Sequence, residues 1–380
     1  MGRKAEEGVI AVPMTTDDNA ARRPYGVVFD EPVMGRITNV MADAVAHLDE
    51  HPAVVLLVDG LGAANLDDDP SLAPTLTSLP RTNLQAGLPS TTTASITSLL
   101  TGADAAQHGL VGFAFRTRPG FAMNTMLWDD PSFVPEVAQP VPTWFERLGA
   151  KGVKTAVVVS SAFANSGLTR AILRGADFVG IDHENDWAGQ ATLVADTVKT
   201  HRLAYAYVRS LDHTGHARGW RSSAWRRQLR RIDGFVGQLL ETLPAGTAFT
   251  ITGDHGMVDV APTHKVQIDD EPELAAGVDL VAGETRFRYL YTQTPDAVAA
   301  RWANWWGSRA DVYTRQQALP LFGVTPPTPD VAKRIGDVVV AFHDDWVALT
   351  ASRPREAQMV GMHGSVTSQE RLVPLLKGSL

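Results

Sequence analysis

Four short runs of apolar, largely β-branched residues, separated by longer stretches of helical character, constrain the fold of this chain most strongly. The runs cover residues 53–58 (AVVLLV), 155–159 (TAVVV), 203–208 (LAYAYV) and 248–252 (AFTIT). Their apolar character is continuous, not alternating, which predicts strands that are covered on both faces. Helices are expected between them, for example at residues 93–100, 141–148 and 222–243. This order predicts an α/β protein with a parallel sheet and crossover helices.

Composition narrows the class of protein. The chain has 380 residues, of which 44% are hydrophobic and 20% are charged, as in an ordinary globular protein. A formal net charge of -8 argues against a nucleic-acid-binding surface, because such surfaces need an excess of Lys and Arg. A small phosphorylated substrate can still be held by local metal charge. Since the chain has no cysteine, any metal must bind to His and carboxylate side chains.

The sequence also bears on location. There is no apolar leader segment near residue 1 and no run of about 18 apolar residues, so we expect a cytoplasmic enzyme that does not span a membrane. The oligomeric state is not predicted.

A change of character along the chain predicts its domain organisation. Between residues 263 and 355 the sequence contains an acidic stretch (DDEPEL), a Trp-rich helix (RWANWW) and a Pro-rich segment (VTPPTPD). We interpret residues 263–355 as an inserted cap or subdomain, with a small sheet of its own around residues 285–292. Residues 1–30 are then an N-terminal arm, residues 31–262 the catalytic α/β core, and residues 356–380 the return to that core.

Three aspartates follow three of the apolar runs. Asp59, Asp212 and Asp254 each come just after a predicted strand. In open α/β sheets ligands bind outside the carboxyl ends of the strands, so we expect these three carboxylates to lie on one rim of the sheet.

Histidines accompany these aspartates at spacings that suit metal binding. Asp254 and His255 are adjacent on a glycine-flanked turn (ITGDHG), and Asp212 and His216 are four residues apart, so each pair can reach one cation. Each pair also has a plainer interpretation, since strand-end aspartates often cap helices and loop histidines are often solvated. His363, in VGMHGS, is a lone histidine, a type that is usually structural; only the other candidates make it a ligand candidate.

The segment GLPSTTTASITSLLTG supplies hydroxyl groups at Ser90, Thr91, Thr92 and Thr93. Such a stretch before an apolar helix normally caps the helix. The same position also suits a nucleophile, because a helix N-terminus stabilises nearby negative charge and a bound metal lowers the pKa of a hydroxyl.

Taken together, DG after a strand, PSTTT ending in LLTG, then QHGLVG, DHTGH, GDHG and MHG resemble the alkaline phosphatase superfamily, and within it the nucleotide pyrophosphatase/phosphodiesterase group. The resemblance covers residues 53 to 376 except the cap. It implies a mostly parallel sheet sandwiched by helices, with an inserted cap. It also implies a phosphodiesterase or nucleotide pyrophosphatase that acts through a phosphothreonine intermediate on a small phosphorylated substrate, such as a nucleotide.

The resemblance further implies two divalent metal ions, most readily Zn²⁺ because of the histidines, with Mn²⁺ as the alternative. Counting back from Thr101 and Gly102 puts Thr92 at the nucleophile position, with Thr91 as the fallback. The implied ligands are Asp59, Thr92, Asp254 and His255 for one ion and Asp212, His216 and His363 for the other.

One departure from the family pattern leaves the substrate class open. The group usually has an asparagine shortly after the HG pair, whereas this chain has Gly112 and Phe113 in HGLVGFAF. Backbone amides, or a side chain such as Asn165 or Arg170, are candidate substitutes for that phosphate donor. A phosphomonoesterase or phosphonate hydrolase of the same superfamily is therefore the alternative, followed by a non-catalytic metal-binding homologue. A sulfatase is excluded because the Cys/Ser-x-Pro-x-Arg motif is absent, and a metalloprotease because HTGH lacks the required Glu.

Overall fold

A computed structural model describes residues 35–380, so the predicted N-terminal arm at residues 1–30 lies outside the described residues. The strands are β1 (Gly35–Arg36), β2 (Ala53–Val58), β3 (Arg81–Gln85), β4 (Ala114–Arg118), β5 (Phe121–Asn124), β6 (Thr155–Ser160), β7 (Asp177–Ile181), β8 (Leu203–Val208), β9 (Ala248–Thr252), β10 (Val258–Asp259), β11 (Lys265–Gln267), β12 (Leu280–Gly283), β13 (Phe287–Tyr291), β14 (Ala310–Thr314), β15 (Val338–Phe342), β16 (Val347–Leu349), β17 (Gly361–Met362) and β18 (Leu372–Ser379).

The helices alternate with these strands through most of the chain. They are α1 (Val40–Val45), α2 (Ala63–Asp67), α3 (Pro74–Ser78), α4 (Thr92–Thr101), α5 (Ala105–His108), α6 (Pro135–Ala138), α7 (Trp144–Gly149), α8 (Gly167–Ile172), α9 (Trp187–Val198), α10 (Ser210–Arg218), α11 (Ser223–Thr242), α12 (Pro272–Ala275), α13 (Pro295–Trp306), α14 (Arg315–Ala318), α15 (Pro329–Arg334) and α16 (Ser368–Arg371). Within residues 35–380, no helix is both long and apolar enough to cross a bilayer.

An eight-stranded sheet in the order β1-β3-β18-β9-β2-β8-β6-β7 forms the centre of the molecule. All its pairings are parallel except those of β18, which runs antiparallel to β3 and β9. The four strands predicted from the apolar runs are all present in this sheet. The prediction of a mostly parallel α/β sheet is therefore confirmed.

Helices cover both faces of the central sheet. Val55 and Leu57 of β2 pack in one apolar cluster with α1, α4, α7 and α8, while Val54 and Leu56 point to the opposite face and pack with α3, α9 and α11. Because successive strand residues face opposite sides, a strand that is buried on both faces must be apolar throughout. This is the physical reason for the run AVVLLV.

Helix boundaries differ from prediction mainly at α7, which starts at Trp144 instead of residue 141. Pro142 precedes Thr143, whose hydroxyl accepts a hydrogen bond from the Glu146 backbone N–H at 3.1 Å, while the Glu146 carboxylate accepts one from the Thr143 N–H at 2.8 Å. This capping box sets the first helical residue. In the same way Ser222 caps α11 by accepting from the Trp225 N–H at 3.1 Å.

A four-stranded antiparallel sheet in the order β12-β13-β15-β14 lies within the predicted cap. One of its faces packs on α13 through Trp302 and Trp306. Phe287 and Tyr289 on the other face join the apolar cluster of the central sheet. The small sheet expected around residues 285–292 is thus present and packs on the core, while the boundaries 263 and 355 stay a prediction.

A buried ion pair ties this second sheet to the last part of the chain. Arg286, between β12 and β13, donates to both carboxylate oxygens of Glu370 in α16, at 2.7 and 2.8 Å, and to the Trp346 carbonyl at 2.9 Å. Neither charged side chain is exposed. Glu370 lies just before β18, the one antiparallel strand among the described strands of the central sheet. The ion pair therefore connects the second sheet to the start of β18.

Candidate active site

Three aspartates lie at the carboxyl ends of the adjacent parallel strands β9, β2 and β8. Asp59 directly follows β2, Asp254 lies two residues beyond β9, and Asp212 is in the first turn of α10 after β8. Gly60 makes the turn after β2 with φ +76°, and a Cβ there would approach the Asp212 Cα to 3.0 Å. The close approach of the two loops therefore needs glycine. The structure brings the three carboxylates to one rim of the sheet, as expected.

Asp212, His216 and His363 form one group of side chains. Asp212 and His216 are one helical turn apart in α10, with 3.3 Å between Asp212 Oδ2 and His216 Nε2. His363 comes from the segment between β17 and β18, and its Nε2 is 3.7 Å from Asp212 Oδ1 and 3.3 Å from His216 Nε2. These three ligand atoms are near enough to one another to bind one ion.

A second group surrounds His255. Its Nε2 is 3.3 Å from Asp59 Oδ1, 3.6 Å from Asp254 Oδ2 and 3.3 Å from Thr92 Oγ1. The two groups adjoin, since the rings of His255 and His363 stack with 3.5 Å between centroids. Asp212 also lies within ligand-atom reach of Asp59 and His255, so its carboxylate stands between the groups. All seven predicted site residues therefore meet in one place.

The three histidines all turn the same nitrogen towards this place. Nδ1 of His255, His216 and His363 is 2.8–3.0 Å from the backbone carbonyls of Gly256, Gly361 and Ser90 respectively. A carbonyl can only accept, so each Nδ1 carries a hydrogen and Nε2 is the ring atom that faces the site. This is the orientation that backbone partners give to metal-binding histidines.

Three carboxylate oxygens face the same space without a hydrogen-bond partner among the described residues: Asp59 Oδ1, Asp212 Oδ1 and Asp254 Oδ2. Two of the sister oxygens have partners: Asp59 Oδ2 accepts from the Tyr207 hydroxyl, and Asp254 Oδ1 accepts from the Gly60 and His255 N–H groups at 3.0 and 3.1 Å. When they are ionised, these buried carboxylates repel one another unless positive charge lies between them. With oxygen and imidazole donors and no thiolate, the set fits divalent zinc or manganese.

The pKa values reflect this concentration of negative charge. Burial, followed by the charge of Asp59, raises the pKa of Asp212 and of Asp254 well above the usual range. Burial lowers the pKa of His255, but the carboxylates of Asp254 and Asp59 outweigh it and raise that pKa to about 10. Burial lowers the pKa of His216 and His363, which keeps their rings neutral. The electrostatic potential at the site therefore favours a bound cation.

Thr92 is the first residue of α4, and Thr91 is its N-cap. Both residues line the adjoining cavity, but the Thr91 side chain is buried and hydrogen-bonded to Glu284, whereas Thr92 Oγ1 is 3.3 Å from His255 Nε2. Of the two candidate nucleophiles, Thr92 is thus the one whose hydroxyl lies against the second group of ligands.

A cavity of about 470 Å³ opens beside the site. Phe113, at the position where the family usually has asparagine, lines it and donates its backbone N–H to Glu284 Oε1 at 2.9 Å. Burial raises the pKa of Glu284. Neither candidate side chain, Asn165 or Arg170, lines the cavity. Asn165 is exposed, and Arg170 is paired with Glu136.

The sequence did not reveal two residues of the site. The Tyr207 hydroxyl donates to Asp59 Oδ2, and the alternation of tyrosines in LAYAYV is a signal that could have found it, because residues two apart share a strand face. Glu284 reaches the site from the second sheet, more than 150 residues along the chain from Thr91, and no local pattern marks it.

The family model "type I phosphodiesterase / nucleotide pyrophosphatase" matches residues 53–366. No curated protein matches the chain in sequence. Human ectonucleotide pyrophosphatase/phosphodiesterase 5 is similar in structure, with a TM-score of 0.70, 14% identity and coverage of 86% of this chain and 87% of that one. The inactive murine form in complex with AMP has a TM-score of 0.69, 15% identity and the same coverage.

A second kind of structure is also similar. Phosphonoacetate hydrolase from Sinorhizobium meliloti 1021, in complex with phosphonoformate, has a TM-score of 0.65 and 19% identity, and the match covers 86% of this chain and 90% of that one. These identities establish a shared fold, while the family model spans most of the chain. The chain belongs to the type I phosphodiesterase/nucleotide pyrophosphatase family of the alkaline phosphatase superfamily.

Proposed function

We propose that this protein is a dimetal phosphodiesterase that cleaves phosphodiester or phosphoanhydride bonds with Thr92 as the nucleophile. The observation that carries the proposal is the meeting of the Thr92 hydroxyl with three carboxylates and three Nε2 atoms. Asp212, His216 and His363 would hold one ion. Asp59, Asp254, His255 and the Thr92 hydroxyl would hold the other.

Two bound divalent cations would lower the pKa of the Thr92 hydroxyl and offset the negative charge of the phosphoryl oxygens. Thr92 Oγ1 would lose its proton and attack phosphorus in line, and the bond from phosphorus to the leaving alcohol or phosphate would break as that group takes up a proton. Water would then cleave the phosphothreonine, which releases the phosphoryl product and restores the Thr92 hydroxyl. The start of the ten-residue helix α4 favours negative charge at this position. The inactive murine relative carries a threonine-to-alanine change, which agrees with an essential threonine.

The charges around the cavity favour a diester over a monoester. Among the described residues that line it, the one Lys or Arg is Arg209, which pairs with Glu184 at 2.9 Å. Glu284 and Glu356 also line the cavity. A phosphodiester carries a single negative charge, whereas a monoester or a phosphonate carries nearly two at pH 7 and needs more cationic partners.

The alternative, a phosphonate hydrolase or phosphomonoesterase, is supported by the structural similarity to phosphonoacetate hydrolase. The one arginine that lines the cavity among the described residues is already paired, as is Glu356 with Arg288, so the cavity offers no free side-chain cation of Lys or Arg for such dianions. The proposed substrate is a small phosphorylated molecule, with a nucleotide among the candidates. The proposed metal is zinc, and the proposed location is the cytoplasm.

Replacement of the two threonines tests the nucleophile. In zinc-loaded protein, Thr92→Ala should lower kcat for bis-p-nitrophenyl phosphate by at least about a thousandfold, because the attacking atom is lost. Zinc content should stay near that of the unchanged protein, since six other ligands remain. Thr91→Ala is the matched control and should cost much less. Normal turnover by Thr92→Ala would refute the assignment.

The same preparation tests the substrate class. We expect kcat/KM for bis-p-nitrophenyl phosphate to exceed that for p-nitrophenyl phosphate by at least about tenfold, a difference of about 1.4 kcal/mol in transition-state stabilisation. The reverse order would favour the phosphomonoesterase alternative.

A further inference from the structure

The cavity beside the site has two ends of different chemistry. One end contains Thr92, Asp59 and the other polar residues described above. Ile96 lies one helical turn beyond Thr92 on the same face of α4 and also lines the cavity. The reacting hydroxyl therefore borders directly on an apolar wall.

This wall is built mainly by α8 and the 3-10 turn Ser161–Phe163 that precedes it. Residues from α4 and from the end of β6 complete it. Its apolar side chains are Ile96, Val159, Phe163, Leu168, Ile172 and Leu173.

Three of the polar side chains that line the cavity on this side, Ser166, Thr169 and Arg209, are already engaged. Ser166 Oγ accepts from the Thr169 N–H at 3.0 Å as the cap of α8, and the two hydroxyl oxygens are also 3.0 Å apart. Arg209 is paired with Glu184. The Tyr205 hydroxyl has no hydrogen-bond partner among the described residues, but the charges of Asp254 and Asp59 act on it, so it belongs to the polar end. A nucleobase and ribose would find few free donors or acceptors on the wall.

The size of the cavity leaves room for more than a phosphoryl group. Its volume of about 470 Å³ falls in the usual range for small-molecule sites, which are mostly apolar with a few polar groups that fix orientation. Burial of an alkyl or aryl group against this wall removes apolar surface from water on both partners.

We propose that the group joined to phosphorus on this side is an uncharged alkyl or aryl group, and that such ligands are preferred to nucleotides. The inference rests on the proposed function for the reaction itself and adds the class of substrate. It assigns α8 and the turn before it to substrate selection.

Binding of alkylphosphonates tests the inference, because each carries only one apolar group. Calorimetric titration of the zinc-loaded protein should give a Kd for hexylphosphonate at least tenfold below that for methylphosphonate, since each buried methylene contributes about fourfold in affinity. Thymidine monophosphate should bind more weakly than hexylphosphonate. Equal Kd values for the two phosphonates, or tighter binding of thymidine monophosphate than of hexylphosphonate, would overturn the inference.

Two variants test whether the dependence of Kd on alkyl chain length arises at this wall. Leu168→Gln places a polar side chain of similar length in the wall and should reduce the ratio of the two Kd values at least threefold. Leu193→Gln in α9 is the matched control, because Leu193 is also partly buried but packs in the other apolar cluster. An unchanged ratio in Leu168→Gln contradicts the assigned wall.

Hydrolysis of bis-p-nitrophenyl phosphate by the same preparation reports on the proposed function separately. Turnover without a chain-length effect leaves the phosphodiesterase and removes the apolar site. A chain-length effect without turnover would support the apolar site and contradict the proposed phosphodiesterase.

Discussion

Replacement of Asp212 by Asn should have opposite effects on stability with and without metal. The Asp212 carboxylate oxygens are 3.3 Å from His216 Nε2 and 3.7 Å from His363 Nε2, and they also lie within ligand reach of Asp59 and His255. Asp212 is thus the one carboxylate that belongs to both groups of ligand atoms identified among residues 35–380. Its loss should weaken the binding of both ions.

The magnitude follows from linkage. At free zinc of about 100 times Kd, each ion adds about 2.7 kcal/mol to the free energy of unfolding, so two ions add about 5 kcal/mol. If Asp212→Asn weakens each site about a hundredfold, as disruption of a metal ligand or its support commonly does, the zinc-dependent gain falls to about 1 kcal/mol.

Without metal, Asp212→Asn should no longer lower the free energy of unfolding. Burial, and then Asp59, raises the folded-state pKa of Asp212. A raised carboxyl pKa stabilises the folded state below the unfolded pKa of about 4, and this contribution is lost as pH rises through the folded value. At pH 8 in EDTA, Asp212→Asn should therefore be at least as stable as the unchanged protein.

Urea unfolding followed by tryptophan fluorescence, in zinc and in EDTA, measures both effects. Asp196→Asn is the matched control, because Asp196 is an exposed residue of α9 that pairs only with Lys199 among the described salt bridges. The reasoning is refuted if Asp212→Asn keeps the full zinc-dependent gain, or if zinc does not stabilise the unchanged protein at all.

Three further changes test other parts of the structure. Tyr207→Phe removes the hydroxyl that donates to Asp59, so zinc affinity measured by competition with a chelator should fall about 10- to 100-fold; an unchanged affinity contradicts this support. Arg286→Met leaves Glu370 buried without its partner and should lower the free energy of unfolding in urea by about 3–5 kcal/mol; a loss below about 1 kcal/mol contradicts it. Burial lowers the pKa of His108 from 6.5 to about 3, and a depressed pKa gives stability that is lost as pH falls below 6.5; unfolding should therefore cost about 2 kcal/mol less at pH 5.0 than at pH 6.5, and His108→Gln should reduce this difference.

The shared rim of Asp59, Asp212 and Asp254 could be predicted from sequence because parallel strands end at the same edge of a sheet. The runs of apolar residues marked the strands, and the aspartates directly followed them. That β9, β2 and β8 are neighbours in space could not be predicted in this way, since strand order depends on which helices pack on which face. The apolar runs mark the strands without fixing their order.

Other parts of the site depend on long-range packing. His363 and Glu284 reach the site from segments on either side of β13–β17, and their positions depend on the antiparallel sheet and on the Arg286–Glu370 pair. Local patterns carry no record of such contacts, so only the other ligand candidates and the family resemblance pointed to His363, and nothing pointed to Glu284. The start of α7, in contrast, could have been predicted from its Thr143–Glu146 capping box.

The central claim is that two cations bind among these seven side chains. Anomalous diffraction from crystals of the zinc-loaded protein, recorded on either side of the zinc absorption edge, tests it most directly. The account predicts two peaks per chain, one among Asp212, His216 and His363 and one among Asp59, Asp254 and His255 beside Thr92. The absence of any peak among these residues in crystals grown with excess zinc would contradict it.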